Sequence, residues 1–377
     1  MLRRGVLIVI FEKKRILFIL PSLNGGGAER VTCNLMNNLS RNHFEIGLFL
    51  YTKKGDYFDL LAPDISVYYV REDGCANKLE ILKKLIEVSQ DYDVLFGAME
   101  LMPTYLASVA AFINNKKSVG WVHINMDMML QRKKYIIGRL HKYFLIPFFY
   151  SFISKIIVVS KGAGISFRKY LLQNTREKIV SLYNPIDFDM ILRKGNEYIK
   201  NTFGTPLLIA VGRLEEQKNY PLMLDAFKLL LNDYHDAKLI ILGKGILENY
   251  LQNLVIKAGM SDAVIFLGYK ENPYKYIKMS DIFVLSSHFE GLPTVLIEAV
   301  ALGTKVVSVN CPDGVSEIID NEEIGTVVEN YNAKKLCNAI KYELGRSVQK
   351  KNTLHESCKR FSYTETIPKF EKVLIEI

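Results

Sequence analysis

The chain has 377 residues, 49% of them apolar, and a formal net charge of +9; this is enough for two domains with real cores and excludes a disordered chain. No apolar run approaches the roughly 20 residues that a membrane-spanning helix needs, and the scattered cysteines Cys33, Cys75, Cys311, Cys337 and Cys358, without CxxC spacing, give no metal cage and suit reduced cytoplasmic thiols. Residues 1–186 hold 26 Lys and Arg against 15 Asp and Glu, a balance of +11, whereas residues 187–377 hold 23 against 25, a balance of −2; the basic half implies an anionic partner, whether a phospholipid surface, a phosphorylated acceptor or nucleic acid.

The opening "MLRRGVLIVIFEKK" has a basic start and a short apolar run, as a signal peptide has. The run ends in Glu12, Lys13 and Lys14 and no small-residue cleavage site follows. Residues 1–14 therefore read as an extension before the first strand, or as a start placed too early. Strand-like runs then alternate with longer helical patterns. In the first half they are "RILFILP" (15–21), "EIGLFLY" (45–51), "SVYYV" (66–70), "DVLFGA" (93–98), "SVGWVH" (118–123) and "KIIVVS" (155–160). In the second half they are "PLLIAVG" (206–212), "AKLIILG" (237–243), "VIFLG" (264–268), "DIFVLSS" (281–287) and "KVVSVN" (305–310). Several are apolar on both faces, as parallel strands covered by helices must be. The expected fold is α/β, with two Rossmann-like doubly wound domains facing across a cleft. The expected divisions are 1–186, a polar linker at 187–205, 206–355, and a last segment 356–377.

Ligands of such sheets sit beyond the carboxyl ends of the strands, and the motifs fall there. In "HFEGLPTVLIEAVALG", Glu290 lies on a strand-to-helix turn and Glu298 inside an apolar helix. Gly291 permits the tight turn and Pro293 suits the first helical turn. The turn Gly291, Leu292, Pro293 and Thr294 therefore aims free N–H groups at the cleft, which favours phosphate. A carboxylate at Glu298 can accept both hydrogen bonds of a ribose diol, and Glu290 can reach hydroxyls of a sugar beyond the phosphate. "VGRLEEQKN" sets Arg213 and Lys218 after Gly212, where two cations can clamp a diphosphate as it leaves. The alternative is that these are ordinary solvated charges; the agreement of spacing, turn and helix favours function.

Other candidates are individually weaker. "LNGGGAER" follows the first strand and is not GxGxxG, so a dinucleotide fingerprint is unsupported and a plain turn competes with function. His123 in "GWVHINM" can contact a transferred sugar or an acceptor, against a satisfied loop histidine at even odds. "ILGKG" offers Gly243 and Gly245 as another loop against a nucleotide, and Asn184 of "YNPID" can face the cleft. "DYD" (91–93) and "DFD" (187–189) read as chance matches, so no metal is expected. The segment "QRKKYIIGRLHKYFLIPFFYSFISK" (131–155) mixes bases with aromatics in the manner of a helix on an anionic membrane, although Pro147 interrupts it and core packing accounts for much of its apolar side.

In this order, "GGGAER", the His123 loop, "GRLEEQKN" and "FEGLPTVLIEA" resemble the Leloir glycosyltransferases of family 4, from about Arg15 to the C-terminus. The resemblance implies the two-Rossmann GT-B architecture, with an acceptor domain at 1–186 and a donor domain at 206–355. It implies a last helix (356–377) that crosses back to the first domain. It also implies retention at the anomeric carbon, a nucleotide-diphosphate sugar as co-substrate (UDP preferred to GDP), and no required metal or other cofactor. By the same resemblance Glu298 takes the ribose, Glu290 the donor sugar, and Arg213 and Lys218 the diphosphate. Gly26 and Gly27 approach the donor from the other domain, and His123 stands near the sugar. Departures are the 14-residue leader and the stretch after the histidine in "WVHINMDMML". Relatives with the "GGGAER" opening extend O-antigen, capsule or protein-linked glycans on polyprenyl diphosphate. The partners expected are thus a nucleotide sugar, a lipid-linked or soluble glycan acceptor and an anionic membrane surface, not nucleic acid, with the chain peripheral on the inner face of the cytoplasmic membrane. The competing classes are a nucleotide-sugar 2-epimerase, which needs acid/base carboxylates not found here, and a non-catalytic binder of anionic polymer, which leaves Glu290 and Glu298 idle.

Overall fold

The computed structural model of the protein describes residues 12–24, 26–133, 135–200, 203–346 and 357–377. The leader reading at residues 1–14 falls almost wholly outside the described residues. Among these, the chain forms two parallel sheets. The first comprises β1 (Lys14–Leu20), β2 (Phe44–Thr52), β3 (Ser66–Arg71), β4 (Val94–Gly97), β5 (Lys117–Val122), β6 (Lys155–Val158) and β7 (Ile179–Ser181). Its order is β3-β2-β1-β4-β5-β6-β7. The second comprises β8 (Leu207–Val211), β9 (Lys238–Leu242), β10 (Val264–Gly268), β11 (Ile282–Leu285), β12 (Lys305–Val309) and β13 (Gly325–Val328), in the order β10-β9-β8-β11-β12-β13.

Both sheets reverse their winding beside the first strand of the domain, β1 against β4 and β8 against β11. At such a switch point the loops beyond the carboxyl ends splay apart and leave a crevice. The loops after β1, β4, β5, β8 and β11 carry the glycine loops and charged motifs singled out above, except Gly243 and Gly245, which follow β9, and the two DxD patterns. Two strands, β7 and β13, were not expected from the sequence. Each is short, each lies at a sheet edge, and Ile179, Val180, Thr326 and Val327 are only half-buried.

The stretch at 187–205 is not wholly a linker: it contains the helix Phe188–Gly195, whose Phe188 and Ile191 are buried. Asp187 caps this helix by accepting from Met190 N at 2.9 Å, and Asp93 accepts from Arg15 N at 2.8 Å. Both DxD patterns therefore contain an aspartate engaged by backbone. An aromatic row crosses the first sheet from Phe18 to Phe96 (4.6 Å between ring centroids), Phe96 to Trp121 (5.7 Å) and Trp121 to Phe370 (5.1 Å). Phe370 belongs to the C-terminal helix Tyr363–Glu376, so this helix packs on the first domain. Ser40 N donates to Glu371 there at 2.6 Å, and Lys14 Nζ donates to Leu374 O at 3.1 Å.

The basic, aromatic segment winds as helix Tyr135–Leu140, a π-turn His141–Leu145 and helix Ile146–Ser151. Pro147 sits in the first turn of the last piece and, without an N–H, gives no hydrogen bond back to the turn before it. Core packing claims Ile146 and Tyr150, but Tyr135, Ile136, Tyr143, Phe144 and Phe148 are all more than half exposed. No helix among the described residues is long and apolar enough to cross a membrane.

Candidate active site

The first domain contributes three segments. After β1 the glycine loop opens the helix Gly27–Asn38, with Gly26 as an N-cap lacking any side-chain cap, so its leading N–H groups stay open toward the crevice. A Cβ on Gly26 would run into the Glu29 carboxylate, whereas one on Gly27 would meet nothing within 4 Å. One turn into the helix, Arg30 crosses to the second domain: its Nη2 donates to Glu298 Oε1 at 3.1 Å and to the Tyr274 hydroxyl. After β4 comes Glu100, whose Oε2 accepts from His123 N at 3.2 Å. The next residue, Leu101, holds φ 58° and ψ −112°, a strained backbone for a leucine. After β5, His123 Nε2 lies 3.1 Å from Ala98 O, and its ring is 4.3 Å from Trp121.

A ring nitrogen facing a carbonyl must donate, so His123 carries its proton on Nε2 and leaves the Nδ1 lone pair free to accept. Loss of hydration pushes the imidazole down to about 3, against the opposing pull of Ala98 O. It is neutral at physiological pH and can accept a hydroxyl hydrogen bond but not serve as an acid. Glu100 is raised chiefly by loss of hydration, with Glu29 acting in the same direction and the N–H groups of Glu100 and His123 opposing.

The second domain contributes the loop after β8. Gly212 N donates to Leu242 O (2.9 Å), and Gly212 O accepts from the Tyr220 hydroxyl (3.0 Å). Gly243, with φ +143°, packs its bare Cα against Gly212 O. Its glycine is thus accounted for by backbone packing between two strand ends, whatever else lies near. The two cations separate. Lys218 Nζ is 2.7 Å from Glu290 Oε1, with both side chains largely covered. Arg213 is 65% exposed and pairs with Glu215 at 3.2 Å, so the two do not form a common clamp here.

The turn after β11 is where the domains meet. Ser287 Oγ donates to Glu290 Oε1 at 2.6 Å, beside the Lys218 bond, and Glu290 Oε2 has no partner among the described residues. Gly291 lies on the backbone of His123: a Cβ there would come within 2.6 Å of the His123 carbonyl carbon. Gly291 O accepts from Ser160 Oγ of the first domain at 2.8 Å. Leu292 is buried, Pro293 precedes the helix Thr294–Ala301, and the leading N–H groups of Thr294 and Val295 have no intrahelical partner. Glu298, 3% exposed in that helix, is raised by burial and pulled back by Arg30. Asn184 is buried, and its Oδ1 has no partner among the described residues.

Sequence reasoning missed Arg30, Glu100 and Tyr274, and it missed the interdomain latch of Asp313 and Glu317. Asp313 Oδ2 accepts from Asn125 Nδ2 (2.7 Å) and Ser166 Oγ (3.1 Å). Glu317 accepts from Gly162 N (3.0 Å) and the Tyr183 hydroxyl (2.9 Å). Arg132 lies over the Phe289 ring at 4.8 Å, beside Glu290.

Comparison with known proteins agrees with this arrangement. A model of "Glycosyltransferase Family 4" matches residues 25–190, and a model of "Glycosyl transferases group 1" matches residues 199–362. A Campylobacter jejuni N-acetylgalactosamine-N,N'-diacetylbacillosaminyl-diphospho-undecaprenol 4-alpha-N-acetylgalactosaminyltransferase is 31% identical over 337 residues, covering 85% of this chain and 87% of the relative. The chain belongs to the family 4 glycosyltransferases. A second Campylobacter jejuni relative of this transferase, a GalNAc-alpha-(1->4)-GalNAc-alpha-(1->3)-diNAcBac-PP-undecaprenol alpha-1,4-N-acetyl-D-galactosaminyltransferase, is 26% identical over 96% of the chain and 99% of its own length. In fold, the transferase superposes on Anabaena HepE, solved with UDP and glucose, with a TM-score of 0.77 at 18% identity, covering 96% of this chain and 99% of that one. The architecture is GT-B and the enzyme a hexosyltransferase.

The Gly291 contact makes a direct prediction. Gly291→Ala has no room against His123, so the domains must stand apart by the size of a methyl group. A misplacement of about 1 Å costs on the order of 100-fold in turnover. Steady-state kinetics are expected to show that loss with an unchanged melting temperature; full activity would mean that the contact is not made during turnover.

Proposed function

We propose that this transferase moves a hexose or N-acetylhexosamine, with retention at the anomeric carbon, from a nucleotide-diphosphate sugar to a glycan carried on polyprenyl diphosphate. UDP is the preferred nucleotide over GDP, and O-antigen, capsule or a similar surface glycan is the product class. The observation that carries the reading is the pair of carboxylates at the meeting of the two crevices: Glu290 fixed by Lys218 and Ser287, and Glu298 buried opposite Arg30. The relatives that act on undecaprenol-linked glycans support the acceptor class by their names.

On this reading Glu298 accepts the ribose hydroxyls, and the open N–H groups of Thr294 and Val295, with Gly291, Leu292 and Pro293 shaping their approach, receive the diphosphate. Lys218 is shared between Glu290 and the diphosphate, stabilising charge as it develops on the leaving group. Arg213 has to swing from Glu215 to join it. Glu290 Oε2 remains for a donor-sugar hydroxyl, and His123 Nδ1 accepts another. Gly27 offers the open face of the glycine loop beside Gly26. Lys218 and the helix N-terminus already supply positive charge, so the reaction requires no metal in this scheme. The acceptor's lipid places the enzyme at the inner face of the cytoplasmic membrane. Tyr135, Ile136, Phe144 and Phe148, exposed beside Arg139 and Lys142, suit an anionic lipid surface, where aromatics enter the interface and bases meet headgroups.

The test is a screen of UDP- and GDP-sugars against a polyprenyl diphosphate glycan, read by mass spectrometry. Transfer to the lipid-linked glycan is expected; conversion of the nucleotide sugar without acceptor would favour an epimerase. Kinetics then separate the carboxylates. Glu298→Gln is expected mainly to raise the donor KM, since ribose bonds serve ground and transition states alike. Glu290→Gln is expected to lower kcat by about 10-fold or more, because it acts where charge develops. Silence of both changes would end the assignment.

Vesicle flotation tests the membrane contact. Binding is expected to anionic vesicles, to weaken as salt screens the bases, and to fall several-fold in a Phe144→Ser, Phe148→Ser double variant. Equal binding to neutral vesicles would contradict the basic contribution.

A further inference from the structure

Arg30 stands in the first domain, yet its guanidinium serves the second. It bonds Glu298 Oε1 at 3.1 Å and the Tyr274 hydroxyl, and its charge lies 5.6 Å from the centre of the Tyr274 ring. Among the described residues, Glu298 has no other ion-pair partner, and its Oε2 has no partner at all. A carboxylate offers about four lone-pair positions, so one bond from Arg30 leaves room for both hydroxyls of a vicinal diol.

We propose that Arg30 is a positioning residue for the donor: reaching across the cleft, it holds the Glu298 carboxylate charged and aimed, so that the ribose-binding site of the second domain is complete only in the closed molecule. This rests on the reading of Glu298 as the ribose ligand. A carboxylate buried to this depth without a cation favours its neutral form, and a neutral carboxyl accepts the diol poorly. Burial raises Glu298 and Arg30 opposes that rise. Burial alone works to lower Arg30, but Glu298, Tyr274 and Tyr57 outweigh it and keep the guanidinium charged.

The tyrosines around the pair stay protonated in the working range. Burial pushes Tyr57 up to about 12 and raises Tyr274 and Tyr363, with Glu29 beside Tyr57 and Asp187 beside Tyr363 adding to the effect. The helices Phe188–Gly195 and Tyr274–Met279 and strands β11 and β12 pack against the Glu298 helix. Their lysines are engaged elsewhere: Lys275 with Glu197, Lys278 with Asn196, and Lys305 with the carbonyls of Glu343 and Arg346. Asp189 and Arg193 are exposed and Lys194 half-buried, and none of them bonds Glu298. The sign follows. Glu298 must be ionised to accept the diol, so donor binding is lost as pH falls through its pKa. Removing Arg30 moves that loss to higher pH.

The experiment is calorimetric titration of UDP into the full chain at pH 5.5, 7.0 and 8.5, for the unaltered protein, Arg30→Gln, Arg30→Lys and Glu298→Gln. The unaltered protein sets the baseline pH profile, which includes protonation of the UDP terminal phosphate. Arg30→Gln is expected to bind more weakly at pH 7.0 and, relative to that baseline, to lose up to roughly another tenfold per pH unit on the acid side, a response that mere loss of packing does not produce. Arg30→Lys is expected to keep the baseline profile, because it keeps the charge, but to bind several-fold more weakly, because an ammonium lacks the fork that holds Tyr274 and Glu298 together. If Arg30→Gln parallels the unaltered protein at every pH, the inference falls. Should Arg30→Gln not fold, Arg30→Lys decides it: unaltered affinity overturns the aiming role. Glu298→Gln separates the two levels. If it binds UDP normally, the ribose reading itself fails; if it binds weakly while Arg30→Gln keeps the pH profile of the unaltered protein, only the role of Arg30 fails.

Discussion

The site depends on one place where two backbones touch. Gly291 lies on the carbonyl of His123, and the same glycine takes a hydrogen bond from Ser160 and leaves no space for a side chain on the facing Gly314. Three segments from both domains therefore converge on a turn without a side chain. Close-packed interiors do not yield to an added methyl group without moving something. That turn also sets where Glu290 stands, three residues after Ser287, and where the helix carrying Glu298 begins. The distance between the two domains and the placement of the two carboxylates are thus fixed by the same few atoms.

Charge in the cleft is managed in pairs, one within the second domain and one between the domains. Lys218 with Glu290 and Arg30 with Glu298 each set a cation against a carboxylate that water barely reaches. Such pairs contribute little net stability, because desolvation offsets attraction, yet losing one partner strands the other. Their value here is readiness: each carboxylate is set against a cation and oriented before a ligand arrives, and each keeps one oxygen without a partner among the described residues. Preorganised charge of this kind is what a reaction with a departing diphosphate can use. The neutral His123, held by Ala98 O and Trp121, completes the wall without adding a charge.

Much of this was legible in the sequence, and the reasons are physical. The central strands are apolar on both faces, so β1, β4, β8 and β11 stood out, and the loops after them named most of the site. The edge strands β7 and β13 were missed because a short, half-exposed strand carries too little apolar pattern. Glu290, Lys218 and Glu298 stood out because charged residues at a strand end or in an apolar helix break a pattern. Arg213 belonged to the same motif, but the motif does not say which way a long exposed side chain turns. Arg30 closes the motif "GGGAER", yet its partner is 268 residues away in sequence, and a cation on a helix surface looks like any other. Glu100 was hidden because a lone acid in a loop looks like a solvated one; its partner is the backbone of His123. The segment at 131–155 reads both as a surface for an anionic membrane and, over much of its apolar side, as core; Tyr135, Ile136, Tyr143, Phe144 and Phe148 face outward, while Ile146 and Tyr150 are core.

The claim that gathers these pieces is retaining transfer to an acceptor inside a closed cleft. Proton NMR of the purified product, made with a UDP-sugar and a polyprenyl diphosphate glycan, tests it most directly. The account predicts a new α-glycosidic linkage, with the donor's anomeric configuration kept and one UDP released for each linkage formed. A β-linkage, or UDP released with free sugar and no new linkage, would contradict it.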